Sequence, residues 1–315
     1  MTKSIILNIR VLTSQSGQRV DVVVSKSFPE FSRSHIQKWI KEGALTINGK
    51  IIKKRKILEE GELIEINAEE RGLLKDRPEN IKINVVSEDK DILIINKPPN
   101  IVVHPGAGNR TGTLLNGLIN YDSSLAYLPR AGIVHRLDKN TSGLMVVSKN
   151  EKSYLNLVKQ LKDRSLTRHY FALVVGEPTS GGVIEKPIGR HPRFRTKQTV
   201  STRGKEAITE YRLVKRLEGY SLLEVSLQTG RTHQIRVHLS YIGYPIIGDS
   251  TYGGRKKFAK GSSENIRKVI KDFKRQALHA NFLALNHPSS DKSIDFKTEL
   301  PNDMLVLLNA LKDDG

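Results

Sequence analysis

Asp138 stands in the run Gly132-Ile133-Val134-His135-Arg136-Leu137-Asp138-Lys139-Asn140-Thr141-Ser142-Gly143-Leu144-Met145-Val146-Val147, which approaches through apolar residues, opens into a polar loop and returns into an apolar strand. A loop edging a sheet is where a rigid scaffold carries a functional side chain. His135, Arg136 and Lys139 flank the carboxylate, and neighbouring positive charge keeps a carboxylate ionised and attracts a phosphodiester. Two readings fit this spacing: a reacting carboxylate, or a turn aspartate held in a salt bridge. A second cluster runs from Gln228 to Leu239, Gln-Thr-Gly-Arg-Thr-His-Gln-Ile-Arg-Val-His-Leu, in which a strand ends at Gly230 and a helix begins. Arg231 then sits at the helix mouth, where it can pair with a carboxylate or a phosphate. His233 and His238 are five residues apart, a rotation of about 140° on the helix, so they do not share a face as metal ligands would, and no metal site is expected.

The elements that must position these groups follow from hydrophobic periodicity. Strands are expected at 81–86, 92–96, 144–148, 170–175, 207–217, 222–227 and 280–285, and helices at 113–119, 152–162, 232–242, 265–273 and 302–311. Many strands are joined without an intervening helix, so the pattern predicts an α+β domain on a large, mostly antiparallel or mixed sheet over residues 81–315. A separate small α/β unit is expected at 17–67. It has a short helix at 19–26 and a second helix capped by Ser32 with Ile36, Trp39 and Ile40 on one face. Asn48-Gly49 then signals a two-residue hairpin turn, and 63–66 reads as a strand. Arg33, Lys38 and Lys41 lie on its helices, and Lys50, Lys53, Lys54, Arg55 and Lys56 follow the turn. The polar stretch 68–80, with Pro78, reads as a linker.

The chain of 315 residues carries 52 Lys and Arg against 33 Asp and Glu, a formal charge of +19, which makes a polyanion the expected partner. The excess is concentrated: residues 186–217 hold ten basic residues and two acidic ones, and residues 255–275 hold nine and two. Arginine dominates the first stretch, through Arg193 and Arg195 beside Lys197, and guanidinium grips phosphate in a bidentate fork. There is no cysteine, which excludes disulfides, thiolate metal sites and cysteine nucleophiles. The N-terminus lacks the apolar core of a signal peptide, and no apolar run approaches the roughly 18 residues of a membrane span, so a soluble cytoplasmic protein without a membrane partner is expected.

The segment GQRVDVVVSKSFPEFSRSHIQKWIKEGALTINGK resembles the S4 RNA-binding domain, with Val20 in place of the usual Leu. The remainder resembles the RluA family of pseudouridine synthases. His135-Arg136-Leu137-Asp138 through Thr141-Ser142-Gly143-Leu144 matches the family's catalytic motif, Asn96-Lys97-Pro98 and Val103-His104-Pro105 its opening motif, and Arg168-His169-Tyr170 its tyrosine motif. Residues 230–254 match the third motif, and Arg275 through Ala280 with His287-Pro288 complete the set. The resemblance implies conversion of uridine to pseudouridine in RNA by Asp138, with Arg231 pairing Asp138 and Tyr170 stacking on the uracil. It also implies that Arg136 fills the space left by the flipped base, and that the reaction needs neither cofactor nor metal. Val103 through Arg110 and Pro187 through Pro192 resemble members that modify the loop of helix 69 in large-subunit (23S) rRNA, so ribosomal RNA or a large-subunit precursor is the implied partner. No obligate protein partner is inferred, and a monomer is expected. Asn140 departs from the aspartate common at its position.

Two other classes remain open on residue types alone. A non-catalytic RNA-binding protein would use the same basic surfaces without needing Asp138, Tyr170 and Arg231 together. A carboxylate hydrolase would need a second acidic group, for which Asp122 and Asp163 are the nearest candidates.

Overall fold

A computed structural model of the chain describes every residue except 1, 29–30, 32, 54, 72–75, 107, 255–257 and 314–315. The N-terminal unit contains strand β1 (Thr2–Arg10), helices α1 (Val20–Ser27) and α2 (Arg33–Glu42), and strands β2 (Leu45–Ile47), β3 (Lys50–Ile51) and β4 (Leu63–Arg71), with sheet order β1-β4-β2-β3. Ile36, Trp39 and Ile40 form the buried face of α2, as their spacing predicts, and pack with Val20, Val23 and Val24 of α1. Asn48 and Gly49 both have positive φ, which a two-residue hairpin turn of the primed type requires. The expected Ser32 cap and Lys54 lie outside the described residues.

The unit is larger than 17–67. β1 pairs antiparallel with β4 along its whole length, from Thr2 opposite Arg71 to Arg10 opposite Leu63. Ile5 is buried and its neighbour Ile6 is 69% exposed, so β1 is a half-buried strand of period two. Residues 68–71 therefore complete β4 rather than start a linker. The end of the expected linker is also docked: the side-chain amide of Asn116, in helix α3 (Leu114–Tyr121), donates to the Arg77 carbonyl at 2.7 Å, and the Glu79 carboxylate accepts from the Gly112 amide.

The second unit is built on a nine-stranded mixed sheet. In spatial order its strands are β5 (Val85–Glu88), β6 (Ile92–Lys97), β7 (Ser142–Ser148), β14 (Leu278–Asn286), β8 (Thr167–Val175), β13 (Tyr220–Leu227), β12 (Ile208–Leu217) and β9 (Gly182–Glu185), with β15 (Ser293–Lys297) paired to β14. Each expected strand of this domain overlaps one of these. β9, β15 and the separate hairpin of β10 (Ile188–Arg190) and β11 (Gln198–Val200) are short, partly exposed strands in addition to those expected. Helix α4 (Glu151–Lys162) covers one sheet face through Leu157, which packs with Ile92, Ile94, Leu144, Val146, Leu283 and Leu285. The larger core on the other face gathers α3, α5 (Gln234–Tyr241), α6 (Glu264–Asp272) and α7 (Asn302–Asp313). Among the described residues no helix is long and apolar enough to cross a membrane.

The pairing of β7 with β14 is parallel and two residues long, His279 opposite Ser142 and Ala280 opposite Gly143. Gly143 has φ +118°, and a Cβ there would stand 2.2 Å from the Ala280 carbonyl oxygen, so only glycine lets the Asp138 loop re-enter the sheet this closely.

The two units have separate apolar cores. A chain starting at Asp76 is therefore expected to fold with a melting transition close to that of the larger unit in the full chain, while its affinity for RNA falls. Loss of the transition in the truncated chain would show that the cores are interdependent.

Candidate active site

Residues 133–141 form the loop that enters β7, and its backbone is clamped by buried donors. The Asp138 carbonyl accepts from the Thr141 amide at 3.1 Å, the Lys139 carbonyl from Lys97 Nζ at 3.1 Å, and the Asn140 carbonyl from Arg275 Nη1 at 3.3 Å. Lys97 is 1% exposed and also donates to the Pro98 and Ile101 carbonyls, so all three hydrogens of an ammonium are used. Burial pushes Lys97 down to about 7, against the opposing charge of Asp138. Arg275 is held in turn by a fork to Asp303, Nε to Oδ2 at 2.6 Å and Nη2 to Oδ1 at 2.9 Å.

The side chain of Asp138 is paired with Arg236, not with Arg231. Arg236 Nη1 donates to Asp138 Oδ2 at 2.9 Å, while its Nε and Nη2 make a bidentate pair with Asp249 at 2.7 and 2.9 Å. Arg231 is exposed, and its Nε donates to the Glu206 carbonyl at 2.8 Å. The helix starts at Gln234, two residues later than expected, because His233 adopts a left-handed conformation. Gln234 anchors this turn: its carbonyl oxygen accepts from the Arg231 amide and the Thr229 hydroxyl, and its amide group donates to Ile208 O and Thr209 Oγ1. Arg231 stays exposed in the cavity wall, and Arg236, in the first turn of α5, reaches the carboxylate of Asp138.

Burial works against charge on Arg236, but the hydrogen bonds and charge of Asp249, with Asp138 behind them, raise its pKa above the usual arginine range. Burial likewise works against ionisation of Asp249, yet Arg236 and the Tyr252 and Thr251 amides hold it below the usual carboxylate range. The Tyr252 ring lies under the guanidinium, 5.0 Å from Arg236 Cζ. Its hydroxyl accepts from the Gln198 amide at 2.8 Å and meets His233 Nδ1 at 2.8 Å, and His233 Nε2 lies 3.9 Å from Asp138 Oδ1. His238 instead meets Thr209 Oγ1 and the Lys186 carbonyl, so the two histidines serve different places.

Asp138 opens into a cavity of about 680 Å³ whose wall includes His104, His135, Arg136, Arg168, Tyr170 and Gly230. Tyr170 is 4% exposed, and its phenol is pushed up by burial, with Arg168 opposing and Asp138 adding to the rise. It therefore faces the cavity as a neutral ring. Arg136 is exposed at the rim. His135, expected to touch RNA, is buried and its Nε2 accepts from the Val146 amide at 3.1 Å, so the ring pins the loop to β7. Arg33 is also committed within the protein, donating to the buried Asp21 at 2.9 Å beside Arg19 and Gln37. Lys38, Lys50, Arg193 and Arg195 are exposed, and Lys197 lies over Phe194 and donates to the Thr251 carbonyl at 3.2 Å.

Sequence reasoning missed Arg236, Asp249 and Tyr252 as a unit. The available signal was the charge in the apolar run Ile235-Arg236-Val237-His238-Leu239, since a buried guanidinium requires a carboxylate. Ala107 in the 103–110 motif and Arg255, Lys256 and Lys257 in the second basic stretch lie outside the described residues.

Three histidines here are held neutral. Burial, helped by neighbouring arginines, pushes His135 down to about 3, and His104 and His279 to about 4. The unfolded chain takes up these protons near pH 6.5 and the folded one does not, so stability is full above about 6.5 and falls as pH drops toward 4. Each group contributes up to about 1.4 kcal/mol per pH unit inside that window. His279→Asn is expected to flatten the fall of melting temperature between pH 6.5 and 4.5; an unchanged slope would place the acid sensitivity elsewhere.

Known proteins share both units and this site's sequence. A family model described as RNA pseudouridylate synthase matches residues 91–241, and an S4 domain model matches residues 18–64. The chain is 47% identical over 315 residues to ribosomal large subunit pseudouridine synthase D of Haemophilus ducreyi, covering 100% of this chain and 97% of that protein. It is 44% identical over 316 residues to the protein of the same name from Escherichia coli K12, again covering 100% and 97%. The solved structure of human RNA pseudouridylate synthase domain containing 4 superposes with a TM-score of 0.58 at 26% identity, covering 72% of this chain and 92% of that one. A family model over the loop of Asp138 and relatives at this identity along their whole length make the chain a member of the RNA pseudouridine synthase family, joined to an N-terminal S4 domain.

Proposed function

We propose that this pseudouridine synthase acts on large-subunit ribosomal RNA, at uridines in the loop of helix 69, with the Asp138 carboxylate as the group that acts on the ribose. The observation that carries the reading is the carboxylate itself: Asp138 is oriented by Arg236 at the edge of a cavity walled by the neutral ring of Tyr170. The names of its full-length relatives support a large-subunit RNA substrate. The helix 69 assignment rests on the resemblance of residues 103–110 and 187–192 to members that modify that loop.

Isomerisation breaks the N1–C1′ bond, turns the uracil and joins C5 to C1′, C5 losing its proton and N1 gaining one, with no net redox change. An ionised carboxylate next to the sugar serves by attacking C1′ or by removing the C2′ proton, and the geometry is compatible with both. Arg236 supports either route by holding Oδ2 of Asp138, while Oδ1 lies 3.9 Å from His233 Nε2. A stacked uridine must first leave its helix, at a cost of a few kcal/mol, and the family resemblance assigns Arg136, exposed at the rim, to the vacated space. Arg193 and Arg195, between β10 and β11, with Lys38 and Lys50 of the S4 domain, supply exposed charge for the phosphate backbone.

Asp138→Asn keeps the shape and removes the charge. Tritium release from C5-tritiated RNA is expected to fall at least about a thousandfold with RNA affinity retained. A folded Asp138→Asn protein that isomerises near the wild-type rate overturns the assignment. The two arginines separate in the same assay: Arg236→Lys keeps a charge but cannot fork Asp249 while reaching Asp138, and turnover is expected to drop by at least about tenfold. Arg231→Ala is expected to stay within about threefold, and the reverse order would restore Arg231 as the partner.

A further inference from the structure

Arg168 carries a charge that the protein does not answer. It lies on β8, two residues before Tyr170 and on the same face of the strand, and is 8% exposed. Among the described residues it has no carboxylate within salt-bridge distance and no hydrogen-bond acceptor, and its Nε is fully buried without a partner. Every other deeply buried cation of the site is satisfied: Lys97 by three carbonyls, Arg236 by two carboxylates, Arg275 by Asp303. A buried, unpaired guanidinium costs several kcal/mol, so its retention points to a counter-charge brought by a ligand.

The surroundings describe that ligand. Arg168 lines the same cavity as Asp138 and Tyr170. Gly230 opens the space for its head, since a Cβ there would come within 3.2 Å of Nη1. His135 lines the cavity too; its Nε2 accepts from Val146, so its proton sits on Nδ1, and that atom is also buried without a partner. The guanidinium head of Arg168, beside Gly230, thus lies in the wall of the same cavity as Tyr170, while Arg136 is exposed. RNA phosphates remain on a continuous strand outside the cavity, whereas a flipped base enters it.

Resting on the pseudouridine reading above, we propose that Arg168 is a further catalytic residue, which donates to the carbonyl oxygens of the flipped uracil and holds the ring while it is detached from the ribose. When the N1–C1′ bond breaks, the bonding pair stays on the uracil, and its negative charge spreads over N1 and the ring carbonyl oxygens. C1′ is meanwhile bonded to Asp138, or the sugar has given its C2′ proton to Asp138. The buried guanidinium then gains the anion it lacks in the free protein, an interaction stronger after cleavage than before. The same bond lets the ring turn without leaving the cavity.

The test uses the full-length protein and single-turnover rates at saturating RNA, on one RNA carrying uridine and one carrying 5-fluorouridine at the target, with products resolved as nucleosides. Fluorine stabilises the departing anion, so the fluorinated substrate depends less on a donor. Arg168→Met is expected to slow the uridine RNA by about 100-fold or more, as loss of one preorganised donor does, and the 5-fluorouridine RNA at least about ten times less. RNA affinity stays within about threefold. Arg168→Lys, which keeps the charge, recovers part of the loss and gives the same inequality if the methionine variant does not fold. Equal slowing of both RNAs, weakened binding with an unchanged saturated rate, or full activity overturns the role. A wild-type protein that isomerises neither RNA overturns the pseudouridine reading itself.

Discussion

A guanidinium buried between two carboxylates sets the geometry of this site. Arg236 meets Asp249 with its fork and Asp138 with its remaining nitrogen, so the position of the Asp138 carboxylate is tied to Asp249, 111 positions further along the chain. Asp249 is no free partner either, because two backbone amides of the following turn hold its other lone pairs. The loop of Asp138 is fixed from the opposite side by Lys97 and Arg275, which grip its carbonyls. Buried cations are costly unless each is answered, and here part of the answer is the Asp138 loop, through its carboxylate and two of its carbonyls. The stability of the fold and the placement of Asp138 share these interactions.

The charges divide into two populations with different work. Exposed arginines and lysines on the S4 domain and the β10–β11 hairpin act in water, where each is weak and screened, and they draw a polyanion by their number. The buried ones act in low dielectric, where Arg168 adds to the burial that keeps His135 neutral and opposes the rise of the Tyr170 phenol. The cavity wall in this way sets the charged side chains of Arg136, Asp138 and Arg168 beside the neutral rings of His104, His135 and Tyr170.

What was legible in the sequence was local. The apolar period of α2, the hairpin turn at Asn48-Gly49 and the loop of Asp138 between apolar runs each state their structure within a dozen residues. Tyr170 falls where its motif predicts, facing the cavity from β8. The error over Arg231 and Arg236 has a specific physical origin: both lie in one motif near a helix start, and the left-handed residue His233 delays the helix by half a turn. The helix start thereby decides which arginine reaches Asp138, and nothing in the spacing of the arginines reveals it. β1 was missed for another reason, since a half-buried strand at a chain terminus lacks the turn residues that would frame it. The pairing of Asp249 with Arg236 joins segments whose relation exists only after the sheet has formed.

The two-residue parallel contact of β7 with β14 also orders events during synthesis. Ser142 and Gly143 leave the ribosome more than 130 residues before His279 and Ala280 can join them. Arg275, which holds the Asn140 carbonyl, needs Asp303, close to the end of the chain. Contacts so distant in sequence close late. A nascent chain therefore displays its S4 domain, with its own core and exposed lysines, long before the carboxylate of Asp138 has a fixed address. Translation yields first a domain that can dwell on RNA, and the contacts that fix the Asp138 loop follow only once Asp303 has been made.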